Sequence, residues 1–234
     1  MKRLIFLATI LAAMTIVAGS SSAQTRETRD LKGFTRISFG VAGNLNIRFG
    51  QDFRFEIEGS GRALEQTITE VTGNRLVIKR ENWRFSLNND DRVTINITMP
   101  EIEGLGVSGS GRAQIVDKVE ADKLNLSVSG SGKLMTADLE ADELECGISG
   151  SGDIIFGGRG SVDDGEISIS GSGSYSGESV EIDHLLVRVS GSGNCVCKAG
   201  DSLEAHISGS GNVSYSGNPK INARVSGSGH VRSR

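Results

Sequence analysis

Proline is almost missing from this 234-residue chain, which has two, and aromatic residues make up only 5%, with one Trp and two Tyr. Cysteine occurs three times, at Cys146, Cys195 and Cys197, so the thiols cannot all pair, and none shows metal-ligand spacing. On a strand, Cys195 and Cys197 share one face but splay too far apart for an easy bridge. All three are expected to be buried free thiols. No basic stripe interleaved with aromatics is present, which removes nucleic acid from the candidate partners. The formal net charge is −4, mildly acidic. Beyond the first 23 residues no stretch is apolar enough to span a bilayer.

Those first residues are distinctive. Lys2 and Arg3 precede an uncharged apolar run from Leu4 to Val17, and Ser21-Ser22-Ala23 stands before Gln24. That is the three-part pattern of a secretory signal peptide, residues 1–23, cleaved after Ala23. The apolar run is shorter than the ~20 residues a membrane span needs. No Cys near the cleavage point offers a lipoprotein anchor. The mature chain is therefore expected to be exported, in the periplasm, at the cell surface or outside the cell. Residues 24–32 read as a flexible polar N-terminus, and 33–234 as one elongated domain.

Glycine is abundant, at 32 residues, but it is placed rather than scattered. Ser-Gly-Ser-Gly starts at Ser108 and again at Ser129, Ser149, Ser170, Ser190, Ser208 and Ser226, at intervals of 21, 20, 21, 20, 18 and 18 residues. Glu58-Gly59-Ser60-Gly61 is a variant upstream. Self-similarity at a near-fixed period of about 20 means stacked coils, so the fold class is all-β, a parallel β-helix or solenoid. Residues 107–234 are its regular coils. Residues 33–106 depart from the period and are expected as irregular coils or a hairpin at the blunt end, with a turn at Thr72-Gly73-Asn74 and an exposed polar loop from Asn82 to Asp91 carrying Trp83.

Aligning the copies on the first Ser exposes columns. One residue before it stand Val107, Val128, Ile148, Ile169, Val189, Ile207 and Val225; three before stand Leu105, Leu126, Cys146, Ile167, Val187, Ala205 and Ala223. Five after stand Ala113, Leu134, Ile154, Tyr175, Cys195, Val213 and Val231, and seven after come Ile115, Thr136, Phe156, Gly177, Cys197 and Tyr215. A spacing of two is the strand period, so these point inward. Ser-Gly-Ser-Gly is then a corner. Glycine supplies backbone angles that a β-carbon forbids, and serine is small enough to stack on its copies ~4.8 Å away, with a hydroxyl able to bond local backbone or the next serine. A phosphate-cradling loop is disfavoured because no helix N-terminus is expected after any copy.

Seven residues before the first Ser stand Asp122, Asp142, Asp163, Asp183 and Asp201. Carboxylates ~5 Å apart repel by about 1 kcal/mol per pair in water. An Asx-type turn, each Asp accepting backbone N–H bonds, would offset this. A row of bridging calcium ions is the alternative, although the calcium-binding nonapeptide core is absent. No other metal or cofactor is expected. The histidines, His184, His206 and His230, share no coil with a nucleophile and orienter, so no catalytic residue is assigned. Lys133, Asp153, Asn194 and His230, just past the corners, have no common chemistry and read as a solvated position.

The segment Phe34-x-x-Ile37, Gly43-x-Leu45-x-Ile47-x-x-Gly50, Ile57-Glu58-Gly59 and Val71-x-x-Asn74-x-Leu76-x-Ile78-Lys79, followed by Val/Ile-Ser-Gly-Ser-Gly coils, resembles the family "putative auto-transporter adhesin, head GIN domain". The resemblance runs from about Gly33 to Val231. Gly43-Asn44-Leu45-Asn46 departs from the family's Gly-Ile-Asn signature, so no site is placed there. The resemblance implies a secreted, right-handed parallel β-helix with an adhesive role and no catalytic residues or cofactors. The expected function is a non-enzymatic, adhesin-like or structural module presenting repetitive faces to a glycan or protein of the cell envelope, with self-association as an option. The rivals are a β-helical glycoside hydrolase or polysaccharide lyase, and a self-assembling scaffold that stacks end to end.

Overall fold

A computed structural model describes residues 25–81 and 92–234, so the leader read at 1–23 and the Asn82–Asp91 loop with Trp83 lie outside the described residues. Strands occupy 73% of the described residues and helix 3%, wound into a β-solenoid of about six turns.

The N-terminal third builds its closed end. Its elements are β1 (Thr25–Arg29), β2 (Arg36–Phe39), β3 (Gly43–Phe49), β4 (Arg54–Gly59), α1 (Gly61–Gln66), β5 (Thr67–Thr72), β6 (Arg75–Arg80) and β7 (Val93–Met99). β6 pairs in parallel with β2, and β7 with β3, so the later coil lies outside the earlier one and stacking order departs from chain order. β4 then runs antiparallel on β7, β1 antiparallel on β4, and β5 antiparallel on β6. The hairpin β5–β6 turns at Gly73, whose φ of 59° suits glycine. These reversed strands blunt an edge that would otherwise template further parallel coils.

Two readings are corrected here. Glu58-Gly59-Ser60-Gly61 is not an early corner, because Ser60 is the N-cap of α1 and its hydroxyl accepts from the Ala63 amide at 3.2 Å. Residues 25–29 are also not a loose lead-in. They form β1, and Arg29 donates to the carbonyls of Thr67 (2.7 Å) and Leu64 (3.2 Å) at the end of α1. A guanidinium there satisfies carbonyls that the helix leaves free.

The regular coils follow as β8 (Gly104–Gly109), β9 (Arg112–Ile115), β10 (Val119–Gly130), β11 (Lys133–Thr136), β12 (Leu139–Gly150), β13 (Asp153–Phe156), β14 (Gly160–Gly171), β15 (Ser174–Gly191), β16 (Asn194–Gly209), β17 (Asn212–Ser216), β18 (Lys220–Gly227) and β19 (His230–Ser233). Each pairs in parallel with its copy one coil on, and the corner residues stay in register from Ser108 to Ser226. The predicted inward columns are buried, except towards the C-terminal end, where Tyr215 and Val231 are half-buried and Ala223 and Val225 are exposed. An unanticipated column five residues before the first Ser completes the core: Leu124, Leu144, Leu185 and Leu203, interrupted at Gly165. A Cβ at Gly165 would lie 2.7 Å from Ile182, which fills the gap. The shortening from 20 to 18 residues is local: Gly177 faces Cys197 but Glu181 faces Lys198, so Glu178, Ser179 and Val180 have no counterpart, while Gly200 and Asp201 stand against Asp183 alone and return one residue.

The two corner glycines have different jobs. The first, as at Gly150, takes φ of +116°, and a Cβ there would sit 2.6 Å from the Gly130 carbonyl oxygen one coil below. The second, as at Gly152, has no such angle. Its missing side chain makes room for Val128 Cγ1, which would lie 2.4 Å from a Cβ. Each corner thus rests on the inward Val or Ile of the previous coil.

Candidate functional site

The columns that point outward from the wall before the corner form a long concavity. It is an open groove of about 760 Å³ crossing six coils, from Ser127–Ser129 to Arg224–Ser226. At ~4.8 Å per coil it runs about 24 Å along the solenoid axis. Its outer column reads Ser127, Gly147, Ser168, Arg188, His206, Arg224, and beside it runs the first serine of each corner, from Ser129 to Ser226. Small residues in the first three coils leave the groove open, and its walls are mostly carbon. The ladder bonding expected of the corner hydroxyls is not observed. Among the described residues these serines have no protein hydrogen-bond partner through their side chains. Sequence reasoning took this strip for a plain corner. The one available signal was the change from Ser and Gly to Arg and His along the outer column.

The cations at the far end are unequally compensated. Arg188 pairs with Glu166 on the coil before it, and His206 Nε2 lies 2.8 Å from Glu204. Arg224 has no acidic partner among the described residues. A shallower dip of about 360 Å³ adjoins the groove, lined by Glu143, Glu145, Asp164, Glu166, Glu204 and His184. Charges on this wall pair from coil to coil. Lys123 reaches Glu143 (2.9 Å) and Glu145 (2.6 Å), which raises the lysine's pKa and holds Glu145 below the usual carboxylate range. At the next edge Lys118 does the same for Glu140.

The Asp column lies where two walls meet. Ala121 pairs with Ala141 and Lys123 with Glu143, while Asp122 and Asp142 between them are unpaired, and Asp163 and Asp183 repeat the pattern. Asp122, Asp142, Asp163 and Asp201 are exposed and Asp183 is half-buried. None of the five accepts a backbone N–H. That role falls to Asp117, bonded by the Phe49 amide at 2.9 Å, and to Asp138, bonded by the Arg159 amide at 2.8 Å. Among the described residues no three His, Cys, Asp or Glu side chains are grouped to hold a metal ion. The post-corner column is a half-buried to exposed ladder of neighbour pairs, with Lys133 on Asp153 at 3.2 Å and Asn212 on Asn194 at 3.1 Å. His184 and His230 are exposed and His206 is half-buried. His184 Nδ1 lies 3.2 Å from the Ser202 hydroxyl, while the carboxylate beside the histidines, Glu204, is engaged by His206 rather than by His184.

The three cysteines are free and buried. Burial pushes the Cys146 thiol well up. Cys195 is raised by its bond with Cys197 and by burial. Tyr175 lies in the same core, its ring 5.6 Å from Phe156 and its hydroxyl across Gly177, where a Cβ would sit 2.4 Å away. The hydroxyl is buried with no partner. Nothing here opens to solvent, so the cluster is packing.

No helix among the described residues is long and apolar enough to cross a membrane. Solved structures share the architecture. A putative adhesin from Bacteroides fragilis superposes with a TM-score of 0.85 at 22% identity, over 92% of this chain and 98% of that one. A putative adhesin from Parabacteroides distasonis gives 0.73 at 22%, over 92% and 98%. A protein from the same species described as a putative lipid binding protein gives 0.69 at 21%, again over 92% and 98%. No curated protein is detectably similar in sequence. The profile of the family "putative auto-transporter adhesin, head GIN domain" matches residues 33–219, well over half the sequence, and the chain belongs to that family.

Proposed function

We propose that this protein is an exported, non-enzymatic, adhesin-like binding module whose rigid solenoid presents the groove before the corners to a ligand of the cell envelope. The groove carries the reading: it is a continuous concavity of about 760 Å³, it crosses six coils in register, and its corner hydroxyls are uncommitted among the described residues. Backbone ladders on both sides of every coil hold the face rigid, so binding costs little ordering entropy. The names of the structural relatives, adhesin and lipid binding, agree with a binding role. Against catalysis, Glu140 and Glu145 are held low by lysines, whereas a general acid needs a raised pKa.

The test is binding of the mature protein to envelope fractions and glycan and lipid arrays, beside the variant Gly147→Trp. A Cβ at Gly147 meets nothing within 4 Å, so the indole fills the groove without disturbing the core. Loss of binding with an unchanged melting temperature is expected. Binding that survives would place the ligand elsewhere.

A second reading has its own observation. β18 and β19 each pair on one side only, and Ile221 and Val225 on that coil are 47% and 44% exposed. Strand addition there would build a stack of copies. Sedimentation over a wide concentration range would show growth that Ile221→Lys abolishes, or a single monomeric species that removes this reading.

A further inference from the structure

We propose that the groove takes a single-chain anionic amphiphile, with its headgroup on Arg224 and its acyl chain running back along the groove over Ser168 toward Gly147. This rests on the reading that the groove is the ligand-binding face. The outer column is divided. Its first three residues are small, and its last three are Arg188, His206 and Arg224. From the coil of Arg224 back to that of Ser168 is three steps, about 14 Å, and Gly147 lies one step beyond. An acyl chain filling one leaflet of a ~30 Å hydrocarbon core has nearly that reach, ~15 Å. The carbon-rich walls suit it, and no Trp, Tyr or Phe lines the groove as a platform for a sugar ring.

The charges fix the direction and the valence. Glu145 and Glu166 flank the first half of the groove and are already paired with Lys123 and Arg188, so no free cation is left there for an anion. Arg188 is neutralised by Glu166 and His206 faces Glu204, which leaves Arg224 alone free to take a carboxylate or phosphate through two parallel N–H bonds. Val225 beside it is 44% exposed and extends the apolar surface to the headgroup. A polyanion following the groove would meet one uncompensated cation and then acids on the preceding coils. An acidic polysaccharide is therefore the poorer occupant.

Titration calorimetry of the intact mature protein with palmitate below its micellar concentration tests this. Methyl palmitate and trigalacturonate serve as comparison probes. One palmitate per chain is expected, weakened by about tenfold or more in Arg224→Glu, as for loss of a charged hydrogen bond. Arg224→Lys should retain most of the affinity, methyl palmitate should bind like the Arg224→Glu complex, and Gly147→Trp should abolish binding. Arg224 is exposed and Gly147 is half-buried with open space at its Cβ, so the melting temperature serves as a check on folding for both. Failure of palmitate to bind, or indifference to Arg224→Glu, overturns the proposal. Trigalacturonate binding that Gly147→Trp blocks, without palmitate binding, overturns the amphiphile while keeping the groove. Palmitate binding that Gly147→Trp leaves intact overturns both.

Discussion

Gly147 and Gly150 lie three residues apart in one coil, and alanine should act on them in opposite directions. At Gly150 the backbone is at φ +116°, a region almost closed to residues with a β-carbon, which costs about 1–3 kcal/mol. The new methyl would also sit 2.6 Å from the Gly130 carbonyl oxygen, which accepts the Ser151 amide at 2.8 Å. Either the coils part or that bond is lost, for about another 1 kcal/mol. Gly150→Ala should therefore destabilise by about 3 kcal/mol. For a chain of this size that lowers the melting temperature by roughly 6–12 °C. Gly147 has an ordinary strand conformation and open space where its Cβ would go. Alanine there mainly restricts the unfolded chain, a gain of about 0.4–1 kcal/mol. Thermal melts followed by far-UV circular dichroism, with urea titrations alongside, measure both. If Gly150→Ala melts with the parent, or both variants fall equally, the account of the corner is wrong.

The core and the charged edges have consequences of their own. Tyr175→Phe removes a buried hydroxyl that has no partner while keeping the ring against Phe156, so stability should rise by about 1 kcal/mol; a lower melting temperature would mean that the hydroxyl is satisfied. The thiols of Cys146, Cys195 and Cys197 should be silent to a thiol reagent in the native protein and all react after unfolding. Fast native labelling of any one would contradict its burial. Glu140 and Glu145 titrate lower in the folded chain, so their contribution is present above the unfolded carboxylate range and fades as pH falls through their folded values. Lys118 and Lys123 titrate higher, so theirs is present below the unfolded lysine range and fades as pH rises. Stability from these pairs should be level from about pH 5 to 10 and decline modestly on either side, with the acid limb shallower in Lys118→Ala. A maximum well inside that window would implicate other groups.

How much could be read from the order of residues differs along the chain. In the regular coils each residue meets its own copy, so composition at a fixed offset is also the environment at that offset. That is why the inward columns, the buried thiols and the Ser-Gly-Ser-Gly corner were legible, with Gly150 and Gly152 needed for angle and room. The Leu124 column obeys the same rule, but Gly165 breaks it midway and hides its period. The Asp column was visible as a register but not as a chemistry, because its exposed side chains accept no backbone bond while Asp117 and Asp138, outside the column, do.

The N-terminal third obeys no such rule. Whether Glu58-Gly59-Ser60-Gly61 turns a corner or caps a helix depends on the residues after it, and Ser60 is engaged by the Ala63 amide only because α1 must cross to β5. That β6 and β7 slip outside β2 and β3 depends on which strand edges are free, and Arg29 holds β1 through carbonyls some 35 residues away. Taken alone, the sequence determined a parallel solenoid, its period, its core and its corners, because those repeat through contacts between equivalent residues. Only the tertiary structure decided how the stack is closed, and that a strip of small outward residues ending in Arg224 is a groove. Depth comes from the angle between walls and from side chains that are missing, and neither is written in the identity of any one residue.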